Sequence, residues 1–237
     1  MVAKRLLLSL WNGYPESRVY VTGWIAFDSL FFVDVESKRS FLKSQFGLTD
    51  VPIILFAGEG TYSDMVFEEL ASVMQEIGAD AILFPRWHPR SKDDFPDSHA
   101  RLIALEKYYK NNISLIDTNA DTTGEVSSDD CMIAADIVVG MTSTVLVKAA
   151  LLGKEVISVL YPESGLRLWQ ENTGLESFPL VELGCAVLAD DHRRLREILR
   201  NAYRRALGCR EAQMKHLPCD GKSAERARDA VLEILKG

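Results

Sequence analysis

The sequence is poor in the features that mark a chain for a membrane, a nucleic acid or an oxidising exterior. No apolar run approaches the roughly 20 residues needed to span a bilayer. The opening MVAKRLLLSLWNGYP carries a basic pair and a few leucines. Trp11, Asn12 and Gly13 cut its apolar run too short for a secretory leader, and a buried first strand suits it better. Positive charge is in deficit: 27 lysines and arginines face 34 aspartates and glutamates, a net −7. That balance argues against general nucleic-acid binding. Cysteine is scarce, and Cys131, Cys185, Cys209 and Cys219 form neither a CxxC pair nor a metal spacing. Reduced thiols in a cytoplasmic protein are the reading this supports. No DxD stands at a strand end to hold a metal, no G-x-S-x-G elbow offers a nucleophile, and no repeat or low-complexity tract is visible.

What is present is ordinary globular material, 237 residues with 47% hydrophobic and 26% charged, enough for one large α/β domain or two small ones. The chain is organised around ADIVVGMTSTVLVKAALLGKEVISVL, residues 135–160. Ile137 to Val139 read as a buried parallel strand. Gly140, Met141, Thr142, Ser143 and Thr144 form a small polar turn. Val145, Leu146, Ala149, Ala150 and Leu152 then fall at helical spacing, Gly153 ends the helix, and Lys154 suits its last turn. Val156 to Leu160 is a second strand. Hydroxyls and unpaired N–H groups where a strand feeds a helix make an anion site. The plainer alternative is that one hydroxyl caps the helix, and the sequence leaves both open.

The same unit occurs earlier. PIILFA (52–57) is a strand followed at once by Gly58, Glu59, Gly60 and Thr61, then a helix capped by Ser63 or Asp64 and closed by Gly78. Glycines let backbone N–H groups approach a ligand, but GEGTYS lacks the third glycine of a dinucleotide fingerprint. A third strand, 81–84, ends in Pro85, Arg86, Trp87, His88, Pro89, Arg90. A helix from 97 to 110, a strand at 113–116 and a short helix from Ser127 or Ser128 to Ala134 follow. Before these come a strand at RVYVT (18–22), an aromatic run from Phe27 to Phe32, and a helix from Glu36 to Phe46 capped by Gly47. After Leu160 a looser region around Trp169 leads to a strand at 186–188 and a helix to about Leu207, capped by Asp190 or Asp191. Its arginines, Arg193, Arg194, Arg196, Arg200, Arg204 and Arg205, read as a solvated face. An amphipathic helix from Ser223 to Lys236 closes the chain. Strand–helix alternation from 52 to 160 predicts an α/β, doubly wound parallel sheet. The GEGT, RWHPR and MTST turns then share the rim at the carboxyl ends of the strands, where such sheets bind ligands.

With these residues in view, the chain resembles the C-terminal, donor-binding half of GT-B glycosyltransferases, in particular the CDP-glycerol glycerophosphotransferase, capsule-sugar transferase and UDP-GlcNAc 2-epimerase groups. VYVTGWIAFDSL, ILFAGEG, RWHPR and GMTSTVLVKAALLGKEVISV carry the likeness, over about residues 19–160. The resemblance implies a single Rossmann-like domain over 1–237, with an irregular lead-in to residue 35 and C-terminal helices from 190. It also implies an N-terminal acceptor domain elsewhere in a longer polypeptide or on a partner chain. Carried over by residue, Gly58, Glu59, Gly60 and Thr61 line the phosphate site, with Arg86 and Arg90 beside it. His88 with Pro89 takes the His-Pro position at the cleft, and Thr142, Ser143 and Thr144 hold the donor diphosphate. The donor is a CDP- or UDP-linked substrate, with no metal or other cofactor. Where those families carry a ribose-binding Glu this chain has Lys148, which donates only and cannot replace an acceptor.

The expected function is donor binding for transfer of a sugar or polyol phosphate in surface polysaccharide assembly. The location is cytoplasmic, with peripheral association at the inner membrane face, and no nucleic acid is a partner. A UDP-sugar 2-epimerase or hydrolase is the enzymatic alternative, and a non-catalytic domain for an anionic metabolite or partner protein is the other. His88 is the candidate for donating to a leaving phosphate, against a loop histidine that caps backbone groups. Glu59 is a base or hydroxyl acceptor, against a solvated turn residue. Asp129 and Asp130 fit the first turn of a helix.

Overall fold

Five short apolar runs become five strands because their β-branched and aromatic residues can be buried on both faces of a sheet. In the computed structural model, which describes residues 4, 13–48, 50–116, 126–204, 207–217 and 219–236, β1 is Ile53–Ala57 and β2 is Ile82–Arg86. Then come β3 at Ile137–Gly140, β4 at Glu155–Val159 and β5 at Val187–Ala189. All pairings are parallel and the order is β2-β1-β3-β4-β5. The chain steps one way from β1 to β2 and the other way from β3 onward. The switch point of the sheet therefore lies between β1 and β3, the position where open α/β sheets leave a crevice outside their carboxyl ends.

The helices fall into two mutually packed groups. α1 (Val35–Phe46) lies on α5 (Ser128–Ala134), which meets α6 (Thr144–Leu151). α2 (Ser63–Glu76) lies against α4 (Pro96–Tyr109) and α9 (His192–Ala202). Local chemistry sets their ends. Asp34 accepts the Ser37 N–H and Gly47, at φ 62°, closes α1. Ser127 and Asp130 form a reciprocal capping box on α5, and Asp191 caps α9 through the Arg194 N–H at 2.6 Å. Short turns of helix, α3 (Ser91–Asp94), α7 (Arg167–Thr173), α8 (Pro179–Glu182) and α10 (Arg210–His216), fill the connections, and α11 (Ser223–Lys236) ends the chain. Among the described residues no helix is long and apolar enough to cross a membrane.

Several expectations need correction. RVYVT is not a strand: a 3-10 turn at Glu16–Arg18 leads into non-sheet backbone and then a 3-10 helix at Ile25–Phe32. The Thr22 carbonyl is taken by Arg226 Nε at 2.8 Å instead of a ladder. The strand expected at 113–116 shrinks to one bridge, Leu83 to Leu115, at the β2 edge. β2 itself runs on through Pro85 to Arg86, which an edge strand tolerates because proline's missing donor need not face a neighbour. Neither Ser63 nor Asp64 caps α2. Ser63 accepts the Glu59 N–H at 2.7 Å, and Asp64 reaches across to Ser98 Oγ at 2.6 Å and Arg101. α9 stops at Ala202, and Lys154 lies beyond the end of α6, donating to the Ile133 carbonyl at 2.6 Å. The strand expected at the N-terminus falls outside the described residues.

One inter-helix contact predicts a pH dependence. His192 on α9 faces two carboxylates of α2, Nδ1 to Glu69 at 2.6 Å and Nε2 to Glu76 at 2.9 Å, and donates to both when its ring is protonated. Tyr161 OH also reaches Glu69 and Arg196 faces Glu76. The Glu69 hydrogen bond, with help from Glu76, raises the His192 pKa above its ordinary value. A raised folded-state value means stability that is complete below the unfolded pKa of about 6.5 and is lost as pH rises through the folded value. The cluster is well exposed, so the effect is under about 1 kcal/mol. Urea unfolding should find His192→Gln weaker than the wild type at pH 6 and level with it at pH 9.

Candidate functional site

The site grows from the register of β1 on β3. Ala57 is paired with Gly140, the last residue of each strand, so the turns that follow emerge side by side at the switch point. A Cβ on Gly140 would stand 3.0 Å from the Ala57 carbonyl oxygen; its absence keeps the two strand ends in contact. Gly58 continues the ladder, its N–H donating to the Arg86 carbonyl at 2.8 Å. The loop then turns sharply. Ser63 Oγ fixes the Glu59 N–H, and Tyr62 sits at φ 68°, a left-handed conformation that costs a non-glycine residue on the order of 1 kcal/mol.

This geometry drives the Glu59 side chain across to the turn after β3. Its Oε1 accepts three backbone N–H groups, from Met141 at 3.0 Å, Thr142 at 2.5 Å and Ser143 at 2.7 Å. Its Oε2 accepts Thr142 Oγ1 at 2.9 Å. Ser143 Oγ caps α6 by accepting the Val145 N–H at 3.2 Å. The turn is anchored from beneath by Ser158 of β4, fully buried, whose hydroxyl donates to the Met141 carbonyl at 2.6 Å. The plainer alternative, a hydroxyl capping the helix, is met by Ser143, and the remaining donors of the turn converge on the protein's own Glu59 carboxylate. Burial pushes the Glu59 carboxyl up from its ordinary value, opposed by the hydrogen bonds from Thr142, Ser143 and Met141 that favour its charged form.

Beside this contact a cleft of 310 Å³ opens, lined by Glu59, Gly60, Thr61, Tyr62, Met141 and Thr142 on one side. Leu160, just after β4, Gly165 of the π-type turn Pro162–Leu166, and Leu168, Trp169, Asn172 and Thr173 of α7 form the other. Trp169 is held by its indole N–H on the Ser177 carbonyl at 3.0 Å and by an edge-on contact with Phe178. The cleft walls are mainly apolar, with a few convergent polar groups, as ligand sites are.

Glu59, Gly60, Thr61 and Thr142 are therefore brought together, with Ser143 behind Thr142. Gly58 lies in the ladder below. Thr144 is exposed at the start of α6, outside the cleft lining. The glycines serve packing as well as access, since a Cβ on Gly60 would stand 2.5 Å from the Phe95 ring. The RWHPR residues do not line the cleft. Arg86 Nε donates to Ser128 Oγ at 3.2 Å, and Arg90 pairs with Asp94 at 3.3 Å on the surface. His88 Nδ1 accepts the Arg90 N–H at 3.2 Å, the backbone-capping role, which leaves Nε2 to carry the ring proton. Lys148 is not offered to a ligand: its ammonium binds both Asp129 oxygens, at 2.7 and 2.9 Å, and lies 5.5 Å from the centre of the Phe27 ring. Among the described residues no group of three or more His, Cys, Asp or Glu is placed to hold a metal ion.

Sequence reasoning missed Ser158, Tyr62 and Trp169. A hydroxyl inside the apolar run VISVL was the available signal for Ser158, because a buried hydroxyl needs a partner. Nothing local marked Tyr62 or Trp169.

No protein-family model and no curated protein matches the chain. Solved structures do. A putative UDP-N-acetylglucosamine 2-epimerase from Listeria monocytogenes aligns over 99% of this chain and 57% of its own, at 17% identity and a TM-score of 0.63. A UDP-GlcNAc 2-epimerase from Neisseria meningitidis, bound to UDP-GlcNAc, aligns over 99% and 59%, at 16% identity and 0.62. The wall teichoic acid polymerase TagF aligns over 94% and 54%, at 15% identity and 0.54. At such identities the likeness establishes the fold alone, an α/β Rossmann-like domain. The chain spans a little over half the length of each.

Proposed function

We propose that this chain is the donor-binding domain of a protein that transfers a sugar or polyol phosphate from a nucleotide-activated donor in surface polysaccharide assembly. One observation carries the reading: at the switch point of the sheet, the N–H groups of Met141, Thr142 and Ser143 converge with the Thr142 hydroxyl on a single anionic group. A donor diphosphate presents the same sign of charge to the same donors, and the positive end of α6 favours it there. Such N–H groups stabilise charge growing on a leaving diphosphate because they are already oriented. His88, which follows β2 outside the cleft lining, would have to reach the diphosphate through Nε2 to support that charge. The neighbouring cleft would take the rest of the donor, with the acceptor supplied by a further domain or a partner chain, on the cytoplasmic side of the membrane.

A second reading, a binding domain without catalysis, is favoured by Lys148, which stands paired to Asp129 where the resembling families present a ribose acceptor. Thermal shift separates the two from an inert fold. CDP, UDP, GDP, CMP, UMP and pyrophosphate are screened against the wild type and a Thr142→Ala/Ser143→Ala double variant. A ligand at 100 times its dissociation constant adds about 2.7 kcal/mol, roughly 5–10 °C for a domain of this size. The donor reading expects one nucleoside diphosphate to exceed pyrophosphate and its effect to weaken in the double variant. Pyrophosphate acting as well as any nucleotide supports the binding domain, and no shift with any of them sinks both.

A further inference from the structure

The three N–H groups of the β3–α6 turn and its hydroxyl are all committed to Glu59. The contact joins residues 82 to 84 positions apart, so it is no local cap. It is also separable from the fold around it. Glycines stand on either side of Glu59, and the backbone there is held independently of the carboxylate. Gly58 bonds Arg86, the Glu59 N–H bonds Ser63, and Gly60 packs on Phe95. Rotation of the Glu59 side chain alone can vacate the turn, with no loop movement. Glu59 and Thr142 both line the cleft, and among its described lining residues Glu59 is the one carboxylate and none is basic. A phosphate entering the cleft meets a like charge already on the donors it needs.

We infer that Glu59 is a built-in competitor for the anion position: a phosphate group binds by displacing its carboxylate from Met141, Thr142 and Ser143. This rests on the donor-site reading and adds to it a residue that sets how strong an anion the site accepts. The apparent affinity for a phosphate is then the intrinsic affinity scaled by the fraction of molecules whose turn is vacant. Weak anions fail to enter, and a doubly charged diphosphate, drawn more strongly to the same donors than one carboxylate, succeeds.

Isothermal titration of pyrophosphate into the wild type, Glu59→Ala and Glu59→Gln at one pH tests this. The competitor account expects Glu59→Ala to bind about tenfold tighter or better, with Glu59→Gln in between because a neutral amide oxygen competes less well. Binding to the wild type and Glu59→Ala with equal affinity would leave the donor site standing and overturn the competition. Weaker binding to Glu59→Ala would make Glu59 a positioning residue for the turn, which also overturns it. Binding to none of the three overturns this inference and the donor reading together. Circular dichroism checks the fold; if Glu59→Ala does not fold, Glu59→Gln decides, and affinity no greater than the wild type's counts against the competitor.

Discussion

Replacing Phe67 by alanine should destabilise the protein by about 3–5 kcal/mol. Phe67 is fully buried on the sheet-facing side of α2. Its ring lies 5.5 Å from that of Phe56 on β1 and 5.1 Å, edge-on at 89°, from that of Trp87 just after β2. Phe56 and Trp87 also meet at 5.8 Å, so the three rings close a triangle over two neighbouring strands. Alanine removes both transfer energy and packing, and the surrounding strands are too tightly paired to collapse into the void. Urea unfolding and calorimetry should record the loss, with a fall in melting temperature of roughly 10 °C. A loss below about 1 kcal/mol would mean that the site relaxes freely and that the triangle does not support the β1 turn.

Asp136→Ala should come next, at about 2–4 kcal/mol, because it breaks a largely buried ion pair that also completes the sheet. Asp136 Oδ2 accepts the Ile53 N–H at 2.9 Å, the first donor of β1, and binds Arg39 Nη2 of α1 at 2.8 Å. Arg39 Nη1 goes on to the Ala134 carbonyl at 2.8 Å. The two side chains are only 16% and 17% exposed. Removing the carboxylate therefore strands a guanidinium and an N–H in poor solvent. Asp136→Asn keeps an acceptor for Ile53 and should cost roughly half as much. By contrast the Lys43–Asp50 pair has an aspartate that is 95% exposed, and its loss should fall below about 1 kcal/mol. Equal costs at the two pairs, measured by urea unfolding, would refute the distinction by burial.

The strands at 53–57, 137–140 and 155–159 were legible because short apolar runs rich in β-branched residues, set off by turn residues, have few other ways to be buried. The GxG and MTST turns were legible for the same reason, as the punctuation between those runs. What the sequence could not reveal was the pairing between the turns. Glu59 offered three readings, as base, hydroxyl acceptor or solvated residue; that its carboxylate lands on Met141–Ser143 follows from the β1–β3 register, which is a long-range fact. RVYVT misled because alternation predicts a strand only where a neighbouring strand exists to accept it. Lys148 could be seen to differ from the acidic residue of the resembling families, but its partner Asp129 lies on another helix, and only the packing of α5 on α6 joins them.

The central claim is that the N–H groups of Met141, Thr142 and Ser143 form the anion position of a donor site. Titrating ¹⁵N-labelled protein with a nucleoside diphosphate, and following amide resonances, tests it most directly. The account predicts that these three amides, together with those of Glu59 and Gly60, shift most and saturate together as the carboxylate leaves and the diphosphate arrives. Perturbations confined to another surface, with these five unchanged at saturation, would contradict it.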